Sequence, residues 1–506
     1  MITKNSQPKR LRTLQMPAEV EEFLRDSNPW WESRPGAPVP GFHRWVYDRL
    51  VHDLKEGLAP GVVLKGPRQV GKTTLQNQVI EHFLKEERID PRRIFRVQFD
   101  EIPSIGGRAY QDLILSLGRW YEDQILGQSF NEAARAGKPA YLFFDEIQNV
   151  SSWAPQIKSL VDHHQVHAML TGSSALRIRA GHDSLAGRVS SIELGPLLLR
   201  EIAGLHLQAS IATLLPQNNF GSLKQAEAWE NLKQLGLEQR ELRDRAFAAY
   251  SERGAYPFAQ GPKAPAWEAV MEHLNETVIQ RALIHDLAAD RKRGYGDLLL
   301  LEEILTLACR YAGQTPGQAI LVQEAHFALG AEIGWQKILH ELRRLDNTLL
   351  IKLIAPLELR MRRRKGYDKI CLCDPALRAS WLDEKVPLTP DGLRQFPDLA
   401  DLAGHLAESV AGYFLGSLPG IGVHHFPARE IEPEVDFVLT IGDNRIPIEI
   451  KYQNQIRDED TAGLRSFLEK TLNRANFGIL VTRTDDVRIR DPRIIAMPLS
   501  SLLLLR

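Results

Sequence analysis

From Gly61 onward, short apolar runs alternate with longer stretches of helical spacing. GVVLKG (61–66), IFRVQFD (94–100), AYLFFDE (140–146), VHAMLTG (166–172) and SSIELGPL (190–197) read as strands. KTTLQNQVIEHFLKE (72–86), AYQDLILSLGRWYEDQI (109–125) and SWAPQIKSLVDHH (152–164) read as the helices between them. Strands alternating with helices predict a parallel sheet covered on both faces, so the first fold class is α/β. Residues 201–294 are charged and mostly helical in pattern. Beyond them, three helical patterns (299–313, 321–329, 335–347) precede two strand-like runs, TLLIKLIAPLEL and YDKICLCD. The end of the chain offers a helix at 402–418, a hairpin at 434–453, a helix at 461–475 and a strand at 477–483.

These patterns divide the 506 residues into five segments. Residues 1–57 are a basic tail followed by an anchor segment holding Trp30 and Trp31. Residues 58–200 are the α/β core, 201–294 a helical lid or insert, 295–382 a winged helix, and 395–506 a second α/β domain. Three helices and a two-stranded hairpin are the pattern of a winged helix-turn-helix. Its candidate recognition helix starts at Trp335, with Gln336, Lys337 and Arg343 or Arg344 reaching outward.

Composition narrows the class. A formal net charge of -1 gives no global pull toward nucleic acid or membrane, so such binding needs a local patch. The hairpin supplies one: Arg360, Arg362, Arg363, Arg364 and Lys365 fall within six positions, suited to a phosphate backbone, though a solvated turn has the same composition. Three cysteines, Cys309, Cys371 and Cys373, are too few for a disulfide scaffold and fit a reducing compartment. Cys371 and Cys373 read as strand packing. No apolar run is long enough to span a bilayer and the N-terminus lacks a secretory pattern, so a cytoplasmic protein is expected.

Candidate chemistry falls in two places. GPRQVGKT is a complete G-x-x-x-x-G-K-T between a strand and a helix, the phosphate-binding loop of a nucleotide triphosphatase. Gly66, Pro67, Arg68, Gln69, Val70, Gly71, Lys72, Thr73 and Thr74 are its ATP-binding residues. Lys72 serves the β- and γ-phosphates and Thr73 serves Mg²⁺. Asp145, ending the apolar run YLFFDE, is the second Mg²⁺ residue, and Glu146 is the general base for water. Ser173 can bond the γ-phosphate, and Arg188 is a candidate arginine finger, in cis or across a homo-oligomer boundary.

The second place is EVDFVLTIGDNRIPIEIKYQ. Asp436 precedes Glu449-x-Lys451, and residues two apart on a strand share a face. Either this is the Mg²⁺ site of a nuclease, with Asp436 and Glu449 as ligands, or it is the charged face of a hairpin.

KGPRQVGKTTL, LFFDEIQNV, LTGSSALRI and LAGRVSSIELGPL resemble the archaeal-type ATPases of the AAA+ (STAND-related) P-loop class. RGAYPFA, KICLCDPALRAS and the Asp436–Lys451 stretch resemble the same family's later motifs, with Ala255 where a second glycine is usual. The resemblance implies an additional-strand P-loop ATPase, its Asp145 strand not adjacent to the P-loop strand. A winged helix and a PD-(D/E)XK nuclease-like domain would follow. It also implies Glu408 as the first acid of a set completed by Asp436, Glu449 and Lys451. The expected function is an ATP-hydrolysing, Mg²⁺-dependent machine acting on DNA, in genome defence or mobile-element control. The rival is a nucleotide-switched protein that binds nucleic acid or protein without cleaving.

Overall fold

A computed structural model describes residues 16–102, 112–173, 185–216, 219–287, 295–358, 366–428, 432–453 and 455–506. It divides into two compact units: the described residues up to Lys65 with Gly71–Leu194, and Gly66–Val70 with Gly195–Arg506.

In the first unit, β1 (Gly61–Lys65), β2 (Ile94–Gln98), β3 (Ala140–Asp145), β4 (Val166–Gly172) and β5 (Val189–Glu193) form one sheet. Its order is β2-β3-β4-β1-β5, and every pair is parallel. Around it lie α1 (Ala18–Ser27), α2 (Tyr47–Glu56), α3 (Lys72–Lys85), α4 (Leu113–Tyr121), α5 (Phe130–Arg135) and α6 (Trp153–His163). All six residues of β3 are buried, which is why its sequence is a continuous apolar run rather than an alternating one. Phe95, Leu142, Phe144 and Leu170 pack with Ile114, Leu117, Trp120, Ile157 and Leu160 in one core. β4 stands between β1 and β3, the expected additional strand.

The basic tail, residues 1–15, lies outside the described residues; the segment from residue 16 to β1 is helical and packed. Val20 and Leu24 on α1, and Leu50 and Leu54 on α2, are buried at helical spacing. Trp30 and Trp31 both donate their indole N–H to Ile94 O, at 3.1 and 2.9 Å, so the pair anchors this segment on β2.

The second unit gathers the helical segment, the three-helix segment and the C-terminal sheet. The residues expected as a lid pack on the chain's own end. Leu214 N–H donates to Leu504 O at 2.9 Å. Arg243, its side chain 2% exposed, forks onto Asp485 at 2.8 and 2.9 Å and reaches Ser501 Oγ at 2.7 Å. Losing Arg243 leaves the buried Asp485 only the more exposed Arg240 at 3.4 Å, so Arg243→Ala is expected to cost about 3–5 kcal/mol, the range for breaking a buried pair. A urea midpoint within experimental error of the parent's would refute this.

Helices Tyr295–Arg310, Gln318–Leu329 and Trp335–Thr348 precede β6 (Ile351–Ile354) and β7 (Lys369–Leu372), an antiparallel pair with Ile354 opposite Lys369. The basic run Arg360, Arg362, Arg363, Arg364 and Lys365 lies outside the described residues. On the Trp335 helix, Gln336, Lys337 and Arg343 are exposed and Trp335 is half-buried. Of the two arginines offered as alternatives Arg343 is the outward one; Arg344 is buried and pairs with Glu341 at 2.6 Å.

The last sheet is β8 (Gly422–Phe426), β9 (Val435–Ile441), β10 (Asn444–Lys451), β11 (Gly478–Thr482) and β12 (Ile494–Pro498), ordered β12-β11-β10-β9-β8. β8, β9 and β10 pair antiparallel, while β10, β11 and β12 pair parallel. Ile441 pairs with Asn444 across Gly442 and Asp443, and Gly442 has φ +60°. A two-residue hairpin turn needs such left-handed angles. Among the described residues no helix is long and apolar enough to cross a membrane.

The motifs behind the family resemblance also meet in this unit. Asp374 accepts the Ala255 N–H through Oδ2 and the Ala376 N–H at 2.9 Å through Oδ1. Gly254 has φ +75°, and a Cβ there would stand 2.5 Å from Asp374 Oδ1. RGAYPFA and KICLCDPALRAS are therefore two halves of one buried lock rather than a reactive site. Cys371 and Cys373 are buried beside it, as strand packing requires.

Candidate functional site

Gly66–Val70 run on from β1 and lead into α3, whose first residues are Lys72, Thr73 and Thr74. Gln69 and Gly71 adopt left-handed backbone angles, φ +62° and +94°. A Cβ at Gly71 would meet nothing within 4 Å, so its backbone borders open space. This conformation turns successive N–H groups the same way.

Asp145 ends β3 at the carboxyl edge of the sheet and is 1% exposed. Thr73 Oγ1 donates to its Oδ2 at 2.8 Å, and Thr171, on β4, donates to Oδ1. The two residues predicted to hold Mg²⁺ are thus already adjacent. A hydroxyl and a carboxylate are oxygen donors of the kind a hard cation takes. Glu146 follows with φ +51°, rare for a residue with a side chain. Its Oε2 accepts from Ser173 Oγ at 3.2 Å and from Gln148 Nε2. Ser173 therefore orients the candidate base.

Two further groups stand beside this pair. Burial, and then the charges of Glu146 and Asp145, push the Asp100 carboxyl up. Burial lowers the Arg96 guanidinium, while Asp145 draws it back up. An acid just past an apolar strand, as in IFRVQFD, was the readable signal for Asp100.

For Arg188 the geometry speaks against the first of its two alternatives, a finger acting in cis. It precedes β5, and its carbonyl accepts the N–H of Gly61 at 3.1 Å, at the start of β1. The phosphate loop leaves the other end of β1, about 13 Å away at 3.3 Å per residue. The guanidinium forks onto Asp162 at 2.5 and 3.0 Å. It does not reach the phosphates of its own chain.

The second set does come together. Glu408, on the helix Ala400–Gly416, Asp436 on β9, and Glu449 and Lys451 on β10 line one cavity of about 430 Å³. Its other wall is the Tyr311–Gly317 turn. Asp436 Oδ2 accepts the Ile450 N–H at 2.8 Å, which fixes its rotamer. Lys451 Nζ lies 2.6 Å from Glu449 Oε1. Glu449 Oε2 is buried and has no hydrogen-bond partner among the described residues.

One member was missed. Lys369, entering from β7, places Nζ 2.9 Å from Asp436 Oδ1 and 2.8 Å from Glu408 Oε2. It begins an apolar strand, and nothing in KICLC tells which way its stem points. Burial, then the Asp436 charge, push the Glu408 carboxyl up to about 8. Burial, then Asp436, push Glu449 up to about 8 as well. Burial works against Asp436 ionising too, but Lys369 holds it below the usual carboxylate range. Three carboxylates thus face two ammonium groups. The oxygens of these carboxyl groups, the orphaned Glu449 Oε2 among them, are donors of the kind a hard cation takes. Among the described residues, however, no three His, Cys, Asp or Glu side chains are grouped to hold a metal ion as they stand. The Lys369 ammonium lies between two of them.

Residues 59–203 match an AAA domain, and residues 404–502 match a domain of unknown function, DUF4143. The first segment is an AAA-type P-loop ATPase domain; it spans β1 to β5 and every ATP-site residue named above. An uncharacterized protein of Methanocaldococcus jannaschii is 29% identical over 185 residues, which is 36% of this chain and 36% of that protein. The chain thus covers little more than a third of that relative. Among solved structures, a Walker-type ATPase of Pyrococcus abyssi aligns with 15% identity and a TM-score of 0.39, over 70% of this chain and 99% of that one. The ORC1 protein of Aeropyrum pernix, solved with DNA, aligns with 13% identity and a TM-score of 0.28, over 70% and 96%. Neither likeness bears on function at these TM-scores.

Proposed function

We propose that the chain is an ATP-hydrolysing protein whose C-terminal domain is a PD-(D/E)XK-type, Mg²⁺-dependent nuclease acting on DNA, with residues 295–382 as a winged helix that grips it. The observation that carries the reading is the convergence of Glu408, Asp436, Glu449 and Lys451, from one helix and two strands, on one cavity. At the ATP site, Lys72 neutralises phosphate charge, Thr73 and Asp145 would hold Mg²⁺, and Glu146 takes the proton from the attacking water. At the second site, Asp436 and Glu449 would hold Mg²⁺, which supplies Lewis-acid stabilisation of a phosphodiester. Lys451 orients the attacking water and Glu408 adds acidity to the pocket's edge. The basic run Arg360 to Lys365 would follow the DNA backbone.

One observation favours a second reading, a nucleotide-switched binding protein that does not cut. The Lys369 ammonium takes up lone pairs of Glu408 and Asp436 that a metal would need.

Supercoiled plasmid incubated with the full chain and Mg²⁺, with and without ATP, separates the two. Relaxed or linear product, absent from a Lys72→Ala control only where ATP is required, supports the first. Retained plasmid together with ATP-dependent DNA retention supports the second. Lys72→Ala is expected to lower phosphate release at least about 100-fold, since it removes the charge set against the γ-phosphate; unchanged release would refute the ATP site.

A further inference from the structure

The second cavity contains a cation for which the proposed chemistry has no use. The Lys369 side chain is 2% exposed, and its Nζ is within 4 Å of three carboxylates: Glu408 at 2.8 Å, Asp436 at 2.9 Å and Glu434 at 3.8 Å. It also lies 5.0 Å from the Phe437 ring centroid. It comes from the three-helix segment, not from the sheet that carries Asp436 and Glu449. Its strand is held from both sides. Ile354 pairs across β6, Gly313 N–H donates to Ile370 O at 2.7 Å, and Ile370 N–H donates to Gln314 O at 3.0 Å. The same turn forms the cavity's facing wall. A Cβ at Gly313 would stand 1.9 Å from His405 O, so this turn is seated directly on the helix that bears Glu408.

An ammonium and a divalent ion compete for the same carboxylate oxygens. The ammonium here is tethered, which gives it a high local concentration without a binding cost. Its four-carbon stem can nonetheless swing by rotamer changes. The Glu449 Oε2 atom, buried without a partner among the described residues, marks the part of the pocket that the ammonium does not serve.

We propose that Lys369 is a tethered cation that occupies Asp436 Oδ1, an oxygen that a metal held by Asp436 and Glu449 would need, so that the C-terminal site is latent and takes a divalent ion only as this ammonium withdraws. The inference rests on the metal-dependent reading of that site. It makes the three-helix segment the keeper of the nuclease-like domain: whatever moves β7 or the Tyr311–Gly317 turn changes access to the carboxylates.

The test is Mn²⁺ binding to the nucleotide-free full chain, followed by the EPR signal of free Mn²⁺. Lys369→Met keeps the stem length and removes the charge; it is expected to bind Mn²⁺ at least 10-fold more tightly than the parent. Lys369→Arg is expected to gain nothing. Adding Asp436→Asn to Lys369→Met is expected to abolish the gain. Equal affinity in the parent and Lys369→Met would overturn the proposal while leaving the metal site standing. No Asp436-dependent binding in either protein would overturn both. If Lys369→Met fails to fold, acylation of the parent decides, read by mass spectrometry. Lys369 is expected to react several-fold faster in saturating Mn²⁺, and a Lys369 equally protected with and without the ion overturns the proposal.

Discussion

Glu146→Gln is expected to lower ATP turnover by about 100- to 10,000-fold, the usual weight of a positioned general base, while leaving ATP binding within about threefold. The side chain is held for its task. It follows the buried Asp145, sits at φ +51°, and rests its Oε2 on Ser173 Oγ at 3.2 Å. A backbone angle of this kind costs about 1–3 kcal/mol and persists only where the surroundings impose it. Here the surroundings are Thr171, whose Oγ1 accepts the Glu146 N–H at 3.4 Å, together with Ser173 and Gln148. Glutamine preserves the shape and a bond to Ser173 but cannot take a proton. Phosphate release and fluorescent-nucleotide binding, measured on the same preparation, check the split. Turnover within twofold of the parent would remove Glu146 from the base role.

Lys451→Ala is expected to lower Mg²⁺-dependent plasmid cleavage at least about 100-fold with ATP turnover unchanged. Removing one group aimed at developing charge or at the nucleophile typically has this size. Lys451 is 31% exposed while its partner Glu449 is 9% exposed, so the ammonium tip reaches into the cavity as the carboxylate stays inside. Alanine would leave Glu449 without the counter-charge that stands 2.6 Å from it. The melting temperature of the same variant separates lost chemistry from lost folding. Cleavage that survives in a well-folded Lys451→Ala would sink the assignment of this residue.

Much of this was legible because short-range rules wrote it. The buried runs of β1, β3 and β4 carry few polar residues, and Gly71 of the P-loop marks its own left-handed backbone angle. Asp436, Glu449 and Lys451 could be paired because a strand has period two and Gly442-Asp443 fixes the register. What the residue pattern left open needed knowledge of direction. Arg188 immediately precedes β5, and in a parallel sheet a residue before a strand lies at the edge opposite the phosphate loop; that inference was available and overrides the attraction of an arginine in a loop. Lys369 was invisible for a stronger reason. A lysine at the start of KICLC is ordinary, and only tertiary packing brings it to three carboxylates separated from it by tens of residues.

The central claim is that this polypeptide carries two separate cation-handling sites, one for a triphosphate and one for a phosphodiester. Manganese anomalous-difference density, from crystals of the full chain with a non-hydrolysable ATP analogue and saturating Mn²⁺, tests it most directly. Two peaks are expected, one against Thr73 and Asp145 and one against Asp436 and Glu449 with Lys369 Nζ displaced. A single peak at Thr73 and Asp145, with the Lys369 ammonium still between Glu408 and Asp436, would contradict it.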